Sequence, residues 1–291
     1  MKIDITLAES PSQHATGAAP VSTAYAYTGG KLFDATLPCV VFIHGALHDH
    51  SGWTLLARWF AHHGHSVLAV DLPGHGRSNG PVLGSIEALA DWLLAVLAAA
   101  GVQRPGQATL VGHSMGSLIA LEAAARAPAL VASLALVGST FPMKVSPALL
   151  DTARDAPLKA IDMVNALSIS TLAAKPSFPG PGMWLHGSNR ALMRRVLTGP
   201  NAAGPANGVE VNLFHHDFSV CDRYDNGLAA AAMLACPVTM IQGTMDQMTP
   251  PRSTRDFAAA LKARVVSLPS GHHLMAEVPD GLLAALRDVV A

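Results

Sequence analysis

Short apolar runs alternate with longer stretches of helical spacing in the first half of the chain. Four strand-like runs end near a glycine or a serine, at residues 38–45, 65–74, 107–114 and 131–139. The stretches between them, 51–64, 85–100 and 115–128, repeat apolar residues at helical intervals, and Ser85 is a candidate N-cap. Strands that alternate with helices predict an α/β fold, a mostly parallel central sheet with helices on both faces.

This alternation stops at about residue 140 and resumes at about residue 236. The interval holds helical patches and Pro/Gly breaks but no convincing run of strands. Two further strand-like runs, 236–243 and 263–271, and two helical stretches follow it. We therefore predict a core formed by residues 1–139 and 237–291, and an inserted, mainly helical lid at residues 140–236. A block inserted after a strand would lie over the sheet edge where such folds bind ligands.

Composition narrows the classes of function. Half of the 291 residues are hydrophobic, 13% are charged and the formal net charge is −1. A nearly neutral chain gives no reason to expect nucleic acid or an anionic membrane as partner. The uncharged, mostly apolar stretch 92–103 is interpreted as a buried helix that is too short to span a bilayer, and the N-terminus lacks a signal-peptide pattern. We expect a cytoplasmic protein with three free thiols, and a homodimer is left open.

The stretch VGHSMGS, residues 111–117, places Ser114 where a predicted strand meets a predicted helix. A tight turn there forces unfavourable backbone angles on its middle residue, so small neighbours are needed, and Gly112 and Gly116 supply them. Gly-x-Ser-x-Gly in this context is typical of a nucleophile elbow, which lifts the hydroxyl above the sheet edge. Ser114 is therefore the candidate nucleophile. The amide of Met115, the next residue, is a candidate oxyanion donor.

The chain resembles the α/β-hydrolase fold superfamily, in its lidded serine esterase-like branch. The resemblance begins at about residue 38 and rests on the stretches HGAL (44–47), DLPGHGRS (71–78), GHSMG (112–116), GTMDQMTP (243–250) and SGHHLMAEVP (270–279). These motifs are specific for the fold and much less so for the substrate. Since Ser114 needs a general base, the resemblance implies His272, in a Gly-His-x4-Glu arrangement, with His273 as a weaker second. It implies Asp246 as the acid, because the position after the preceding strand reads GSTF and holds no carboxylate.

By the same resemblance the second oxyanion amide belongs to Ala46, with Leu47 as the alternative. Leu47 and Met248 are candidate substrate-binding residues, since each lies close in sequence to a predicted site residue. No cofactor is expected. The spacing His44-x3-His48-x-His50 could suggest a metal, but no carboxylate or cysteine completes a ligand set, so no metal site is predicted. The run 215–217 is interpreted as lid surface.

These residues predict hydrolysis of a small or medium apolar ester, lactone or thioester through an acyl-enzyme. Alternatives of the same fold are a carbon–carbon bond hydrolase and a cofactor-free haloperoxidase-like enzyme. An alternative from another class is a small-molecule receptor that keeps the triad. Lid residues decide substrate choice, and they lie in the part of the chain whose pattern is least regular.

Overall fold

An eight-stranded sheet forms the centre of the protein, as seen in a computed structural model that describes residues 1–6, 21–170, 185–201 and 211–290. The strands are β1 (Lys2–Thr6), β2 (Val21–Tyr27), β3 (Cys39–Ile43), β4 (Ser66–Asp71), β5 (Ala108–His113), β6 (Val131–Val137), β7 (Val238–Gly243) and β8 (Arg264–Leu268). Their order across the sheet is β1-β2-β4-β3-β5-β6-β7-β8. β3 to β8 run parallel, and β1 and β2 add an antiparallel edge.

The helices are α1 (Thr54–Ala61), α2 (Ile86–Ala99), α3 (Met115–Arg126), α4 (Pro147–Asp155), α5 (Pro157–Ser168), α6 (Leu185–Leu197), α7 (Leu213–Arg223), α8 (Gly227–Ala232), α9 (Pro251–Ala260), α10 (Leu274–Glu277) and α11 (Pro279–Val290). A short 3-10 helix, His50–Trp53, precedes α1. Each predicted strand and helix of the core is present, and Ser85 caps α2 by accepting from Ala88 N. The α/β prediction is confirmed.

Alternate side chains of the buried strands supply two cores. In β3, Val41 and Ile43 face the core that includes α2 and α3, while Val40 and Phe42 face the core that includes α1 and α11. A strand points successive side chains to opposite faces, so a strand covered on both faces is apolar throughout. This explains why the parallel strands appear in the sequence as continuous apolar runs.

The two N-terminal strands were not predicted from the sequence. β1 pairs with β2 from Lys2↔Tyr25 onwards, and β2 continues the sheet through its pairing with β4. Only one face of this antiparallel edge is fully buried, so its strands alternate apolar and polar residues instead of forming an apolar run. That pattern is shorter and weaker than those of the parallel strands.

Between β6 and β7 the described residues form helices, α4 to α8, and no strand. We call residues 140–236 the inserted segment. Helices α4 to α7 share an apolar cluster, the insert cluster: Leu47, Leu149, Ala153, Ala160, Ile161, Val164, Met193, Val196, Leu213, Phe214 and Phe218. Leu47 is the only one of these that the core contributes. The division of the chain into core and lid remains a prediction.

Two further expectations concern the whole chain. Cys39, Cys221 and Cys236 are free thiols, as predicted. Among the described residues, no helix combines the length and the apolar character that crossing a bilayer requires.

Candidate active site

Ser114 lies at the sharp turn between β5 and α3. Its backbone has φ 51° and ψ −121°, a conformation that L-residues rarely adopt. A Cβ at Gly112 would lie 2.1 Å from Gly116 O, and a Cβ at Gly116 would lie 2.4 Å from Ile43 O. The two glycines are therefore required sterically. The strained turn is the geometry expected of a nucleophile elbow.

Asp246 and His272 form a hydrogen-bonded pair beside this turn. His272 Nδ1 lies 2.8 Å from Asp246 Oδ2, and both side chains are buried. Asp246 also accepts from the amides of Met248 and Thr249 and from the Thr249 hydroxyl. Burial by itself would raise the pKa of Asp246, but His272 and the Thr249 donors outweigh it and lower that pKa. Asp246 is thus held as a carboxylate that orients the ring of His272.

The loop that carries His272 is anchored at three points. The amide of His272 donates to Ser168 O at 2.7 Å. His113, the residue before the candidate nucleophile, donates from Nε2 to His272 O at 2.9 Å. Glu277 accepts from the amide of Gly271 and from the hydroxyl of Ser170. Two of these anchors come from the end of α5, so the inserted segment supports the position of the imidazole.

Ser114 and His272 line one cavity of about 180 Å³ between the sheet edge and the inserted segment. Within the described residues, Ser114 Oγ makes no hydrogen bond. Catalytic hydrogen bonds often form fully only when substrate is bound, so an unpaired Oγ is compatible with an activated serine. Apolar side chains dominate the wall contributed by the inserted segment: Met143, Val145, Leu149, Val164, Leu167 and Phe218.

Two backbone amides point to a candidate oxyanion hole. In the described part of the chain, neither the Ala46 amide nor the Met115 amide donates a hydrogen bond to the protein, and Ala46 lines the cavity. The Leu47 amide, the alternative donor, is not available, because it donates to Asp217 Oδ2 at 2.8 Å. Of the two sequence-based options, the geometry favours Ala46.

The two candidate substrate-binding residues have different positions. Met248 lines the cavity. Leu47 does not, since its side chain is fully buried in the insert cluster. Leu47 therefore does not line this cavity, and its role in substrate binding stays a prediction. Its left-handed backbone, φ 53°, turns the side chain away from the cavity and towards α4 to α7.

Burial opposes the charged form of three further histidines near His272, and two of them, His48 and His113, line the cavity. Burial, with smaller contributions from neighbouring imidazoles, lowers the pKa of His113 well below its usual value and the pKa of His273 to about 3. Burial also lowers the pKa of His48. His273, the weaker candidate for the base, has no carboxylate within ion-pair distance in the described residues and packs against the ring of His48. Of the two candidates for the base, His272 is the one with an orienting acid, as a general base requires.

The histidines considered for a metal do not converge. His44 Nε2 accepts from Leu72 N at 3.0 Å, so its proton is on Nδ1, which donates to Gly45 O. His50 instead approaches Asp71, and with Asp49 these residues place ligand atoms within 4.8 Å of one another. Both carboxylates already accept backbone amides, and Arg195 pairs with Asp49 at 2.6 Å. That arrangement is an ion-paired hydrogen-bond network.

Asp217 is the residue that sequence analysis missed. It was interpreted as lid surface, but it is buried and accepts hydrogen bonds from Leu47 N and from His75 Nε2, each at 2.8 Å. The His-His-Asp run gave no signal for this role, because both partners lie more than 140 positions earlier in the chain. Helical spacing does place Asp217 on the same face of α7 as Leu213 and Phe214, which are buried.

Comparison with known proteins finds esterases among similar sequences and a lactonase among similar folds. Over 104 residues the chain is 41% identical to a pimeloyl-[acyl-carrier protein] methyl ester esterase of Methylococcus capsulatus, but this match spans only 35% of the chain and 37% of that esterase. It is 27% identical over 278 residues to an esterase of Mycobacterium tuberculosis, with 87% of the chain and 83% of the esterase covered. The enol-lactonase of Burkholderia xenovorans LB400 has a similar fold, with a TM-score of 0.73 at 22% identity, over 92% of this chain and 96% of that one.

The family assignment rests on most of the chain. Residues 38–279 match the alpha/beta hydrolase fold family. The matched range includes the elbow, the loops that carry Ala46 and His272, and the inserted segment. The sheet order and the strained serine turn agree with that match. The resemblance inferred from the sequence motifs is confirmed, and the chain belongs to the alpha/beta hydrolase fold family.

Proposed function

We propose that the protein is a serine hydrolase that cleaves carboxylic esters through an acyl-enzyme. The family match and the esterase names of two relatives support an ester-cleaving hydrolase of this fold. The observation that carries the finer proposal is the Asp246–His272 pair at a cavity that Ser114 also lines. The chain order Ser, Asp, His is the order that this fold uses.

In the proposed first half-reaction, Ser114 Oγ attacks the ester carbonyl carbon and its proton passes to His272 Nε2. Asp246 stabilises the resulting imidazolium through Nδ1. The amides of Ala46 and Met115 donate to the carbonyl oxygen as it becomes an oxyanion. The C–O bond to the alcohol then breaks, and the alcohol leaves with the proton from His272.

In the second half-reaction, water attacks the acyl carbon and gives a proton to His272. The bond to Ser114 Oγ breaks, the carboxylic acid is released, and the proton returns to Ser114. The same base and the same two amides serve both steps. The side chains that take part are buried or half-buried, so the charges interact in a low dielectric.

The size and lining of the cavity suggest the substrate class. An empty apolar cavity of ~150 Å³ accepts benzene, so about 180 Å³ suits a compact acyl group of roughly six to eight non-hydrogen atoms. The apolar wall from the inserted segment favours a hydrocarbon chain. We therefore propose small to medium apolar esters, with lactones and thioesters in the same class, and the inserted segment as the lid of the site.

The test is hydrolysis of p-nitrophenyl esters from acetate to decanoate by wild type, Ser114→Ala and Asp246→Asn. Ser114→Ala should lower kcat by at least about 10⁴-fold, and Asp246→Asn by about 10⁴-fold through loss of the correct His272 tautomer. Wild-type turnover no faster than that of Ser114→Ala on every ester would contradict the proposal. It would direct attention to carbon–carbon cleavage or to a receptor, in which a ligand raises Tm without turnover.

A further inference from the structure

One peptide unit next to the candidate oxyanion hole is held at both of its polar atoms. This unit joins Ala46 to Leu47. Its N–H donates to Asp217 Oδ2 at 2.8 Å, and its carbonyl oxygen lies 2.8 Å from His48 Nδ1. Leu47 has φ 53°, which a leucine adopts only when its surroundings impose it. The loop from Gly45 to His48, which we call the oxyanion loop, is therefore shaped by what these atoms contact.

The first contact leads into α7. Asp217 accepts from Leu47 N and from His75 Nε2 at 2.8 Å through the same carboxylate oxygen. His75 lies in the turn after β4 and its Nδ1 is 3.0 Å from Pro73 O. The other carboxylate oxygen faces His216 Nδ1 at 3.2 Å. A buried carboxylate thus ties a helix of the inserted segment to two loops of the core.

The second contact leads into α6 and α5. His48 Nε2 lies 2.9 Å from Asn189 Oδ1, Asn189 Nδ2 donates to Asn165 Oδ1 at 3.1 Å, and Asn165 Nδ2 donates to Ile161 O at 2.9 Å. These polar side chains are buried within the apolar insert cluster. Buried polar groups keep their partners because an unmade hydrogen bond in such surroundings is costly. Both polar atoms of the Ala46–Leu47 peptide are therefore connected by hydrogen bonds to the inserted segment, the N–H directly and the carbonyl oxygen through His48.

We propose that the inserted segment is a working part of the oxyanion hole, with Asp217 as its main positioning residue and Asn189, through His48, as the second. This inference rests on the proposed function. Asp217 does not touch the reacting atoms. It fixes the peptide that follows the Ala46 amide, so that this amide stays directed at the developing oxyanion. Oxyanion donors act through preorganisation, and a small displacement costs rate without a matching loss of substrate binding.

A purely structural role for Asp217 makes a different prediction. A buried carboxylate that only stabilises the fold affects the amount of folded protein, and leaves kcat per active site unchanged. Glu122 provides the matched control. It is buried on α3, it pairs with Arg126 and it accepts from Tyr224 and Asn226 of the inserted segment, but it does not contact the oxyanion loop.

The experiment compares wild type, Asp217→Asn, Asn189→Ala and Glu122→Gln on the best p-nitrophenyl ester, with active sites counted by a phosphonate. Inhibition by an alkyl trifluoromethyl ketone, which adds to serine as an oxyanion, is measured in parallel. We expect Asp217→Asn to lower kcat about tenfold, less than the ~10²–10³-fold cost of losing a donor, with KM within about twofold. Trifluoromethyl ketone affinity should fall by the same factor, and Asn189→Ala should act in the same direction with a smaller effect.

Three results would overturn the inference. The first is that Asp217→Asn and Asn189→Ala both keep the wild-type kcat and ketone affinity. The second is that Glu122→Gln loses as much kcat as Asp217→Asn. The third is that Asp217→Asn changes KM alone. Hydrogen exchange of the peptide that contains residues 45–48 gives a readout that needs no turnover. It should be faster in Asp217→Asn than in wild type and unchanged in Glu122→Gln. If the proposed function failed, wild type would match Ser114→Ala in turnover. Hydrogen exchange would still test whether Asp217 fixes the oxyanion loop.

Discussion

The elbow that carries Ser114 and the oxyanion loop next to it are stabilised in different ways. The elbow is fixed by hydrogen bonds to the adjacent strand and within its own turn: Ser114 N donates to Val137 O, and Ser117 N donates to Ser114 O. The oxyanion loop is held by residues of the inserted segment, since Leu47 N bonds to Asp217 and His48 bonds to Asn189. Its partners lie 170 and 141 positions away in the sequence.

This difference separates what is fixed sterically from what is fixed by packing. At the elbow, hard contacts between backbone atoms leave one conformation, and only glycine fits at Gly112 and Gly116. At the oxyanion loop no glycine supplies the positive φ. Leucine has that conformation, and burial of its side chain with two hydrogen bonds at its peptide keeps it there. A change in the inserted segment should therefore alter the oxyanion loop while the elbow stays unchanged.

The largest effect that tests this comparison is expected from Gly116→Ala. The new Cβ would lie 2.4 Å from Ile43 O and 2.5 Å from His44 O, and both are backbone atoms of the sheet edge that cannot move aside cheaply. We expect the free energy of unfolding, measured by urea unfolding, to fall by more than about 3 kcal/mol, or folded protein to be lost.

Gly84→Ala is the matched control for this substitution. A Cβ at Gly84 meets no atom within 4 Å, so its effect should stay within about 1 kcal/mol. A Gly116→Ala protein as stable as Gly84→Ala would show that the elbow tolerates a side chain there, and the steric half of the comparison would be wrong.

The same contrast explains which features of the fold and of the site can be predicted from the sequence. The elbow and the strands β3 to β8 follow from local patterns, namely apolar runs and glycine spacing, and the resemblance to the family adds Asp246 and His272 after two of these strands. Local sterics act between neighbours in the chain, so a single sequence contains the information. The assignment of the triad roles themselves stays a prediction until turnover is measured.

The features that the sequence does not predict have the opposite property. The burial of Leu47 in the insert cluster and of Asp217 beneath the lid surface depends on partners more than 140 residues away, and an isolated leucine or aspartate carries no mark of them. A left-handed leucine also breaks the rule that such conformations belong to glycine or asparagine. Tertiary contacts override that rule here, and only the folded chain shows which contacts they are.

The second prediction concerns Leu47→Ala, which removes a fully buried side chain that the core contributes to the insert cluster. Loss of a fully buried leucine should lower the free energy of unfolding by ~2–5 kcal/mol. Ile161→Ala, fully buried in the same cluster but on α5, should cost a similar amount. We expect only Leu47→Ala to lower kcat, measured per titrated active site. An equal loss of kcat in both variants would mean that packing of the cluster, and not the loop, sets the rate.

The third prediction uses pH to weaken the contact between α7 and the core. Burial opposes the charged form of His75, but the Asp217 carboxylate and the hydrogen bonds to Asp217 and Pro73 outweigh it and raise the pKa of His75. Asp71 adds to this rise, and the ring of His44 lies 5.1 Å away. A raised pKa contributes stability that is fully present below about pH 6.5, the unfolded value, and is lost as pH rises through the folded value.

The measurement is urea unfolding at several pH values between 6 and 10, for wild type and for His75→Gln. Each unit of pKa elevation corresponds to about 1.4 kcal/mol, so the stability advantage of wild type over His75→Gln should shrink as pH rises. An advantage that grows or stays constant over this range would show that His75 is neutral beside Asp217. The contact would then be an ordinary hydrogen bond.

The smallest effect is expected at the cavity wall, to which the core and the inserted segment both contribute apolar side chains. Leu167 from α5 and Met248 from the loop after β7 line the cavity, and the wall on the side of the inserted segment is the more apolar. The acyl chain should therefore extend towards α5. Leu167 is 37% exposed, so Leu167→Ala should widen this side with little loss of stability.

We expect Leu167→Ala to shift the preferred p-nitrophenyl ester towards longer chains, with kcat/KM for the longer ester gaining up to about fourfold per added carbon, the equivalent of ~0.8 kcal/mol per buried methylene. Met248→Ala should leave the preferred chain length unchanged. If Met248→Ala shifts the preference and Leu167→Ala does not, the acyl chain extends towards the core loop instead. The inserted segment would then act on the oxyanion loop without selecting the acyl group, and its two effects on the site would be separate.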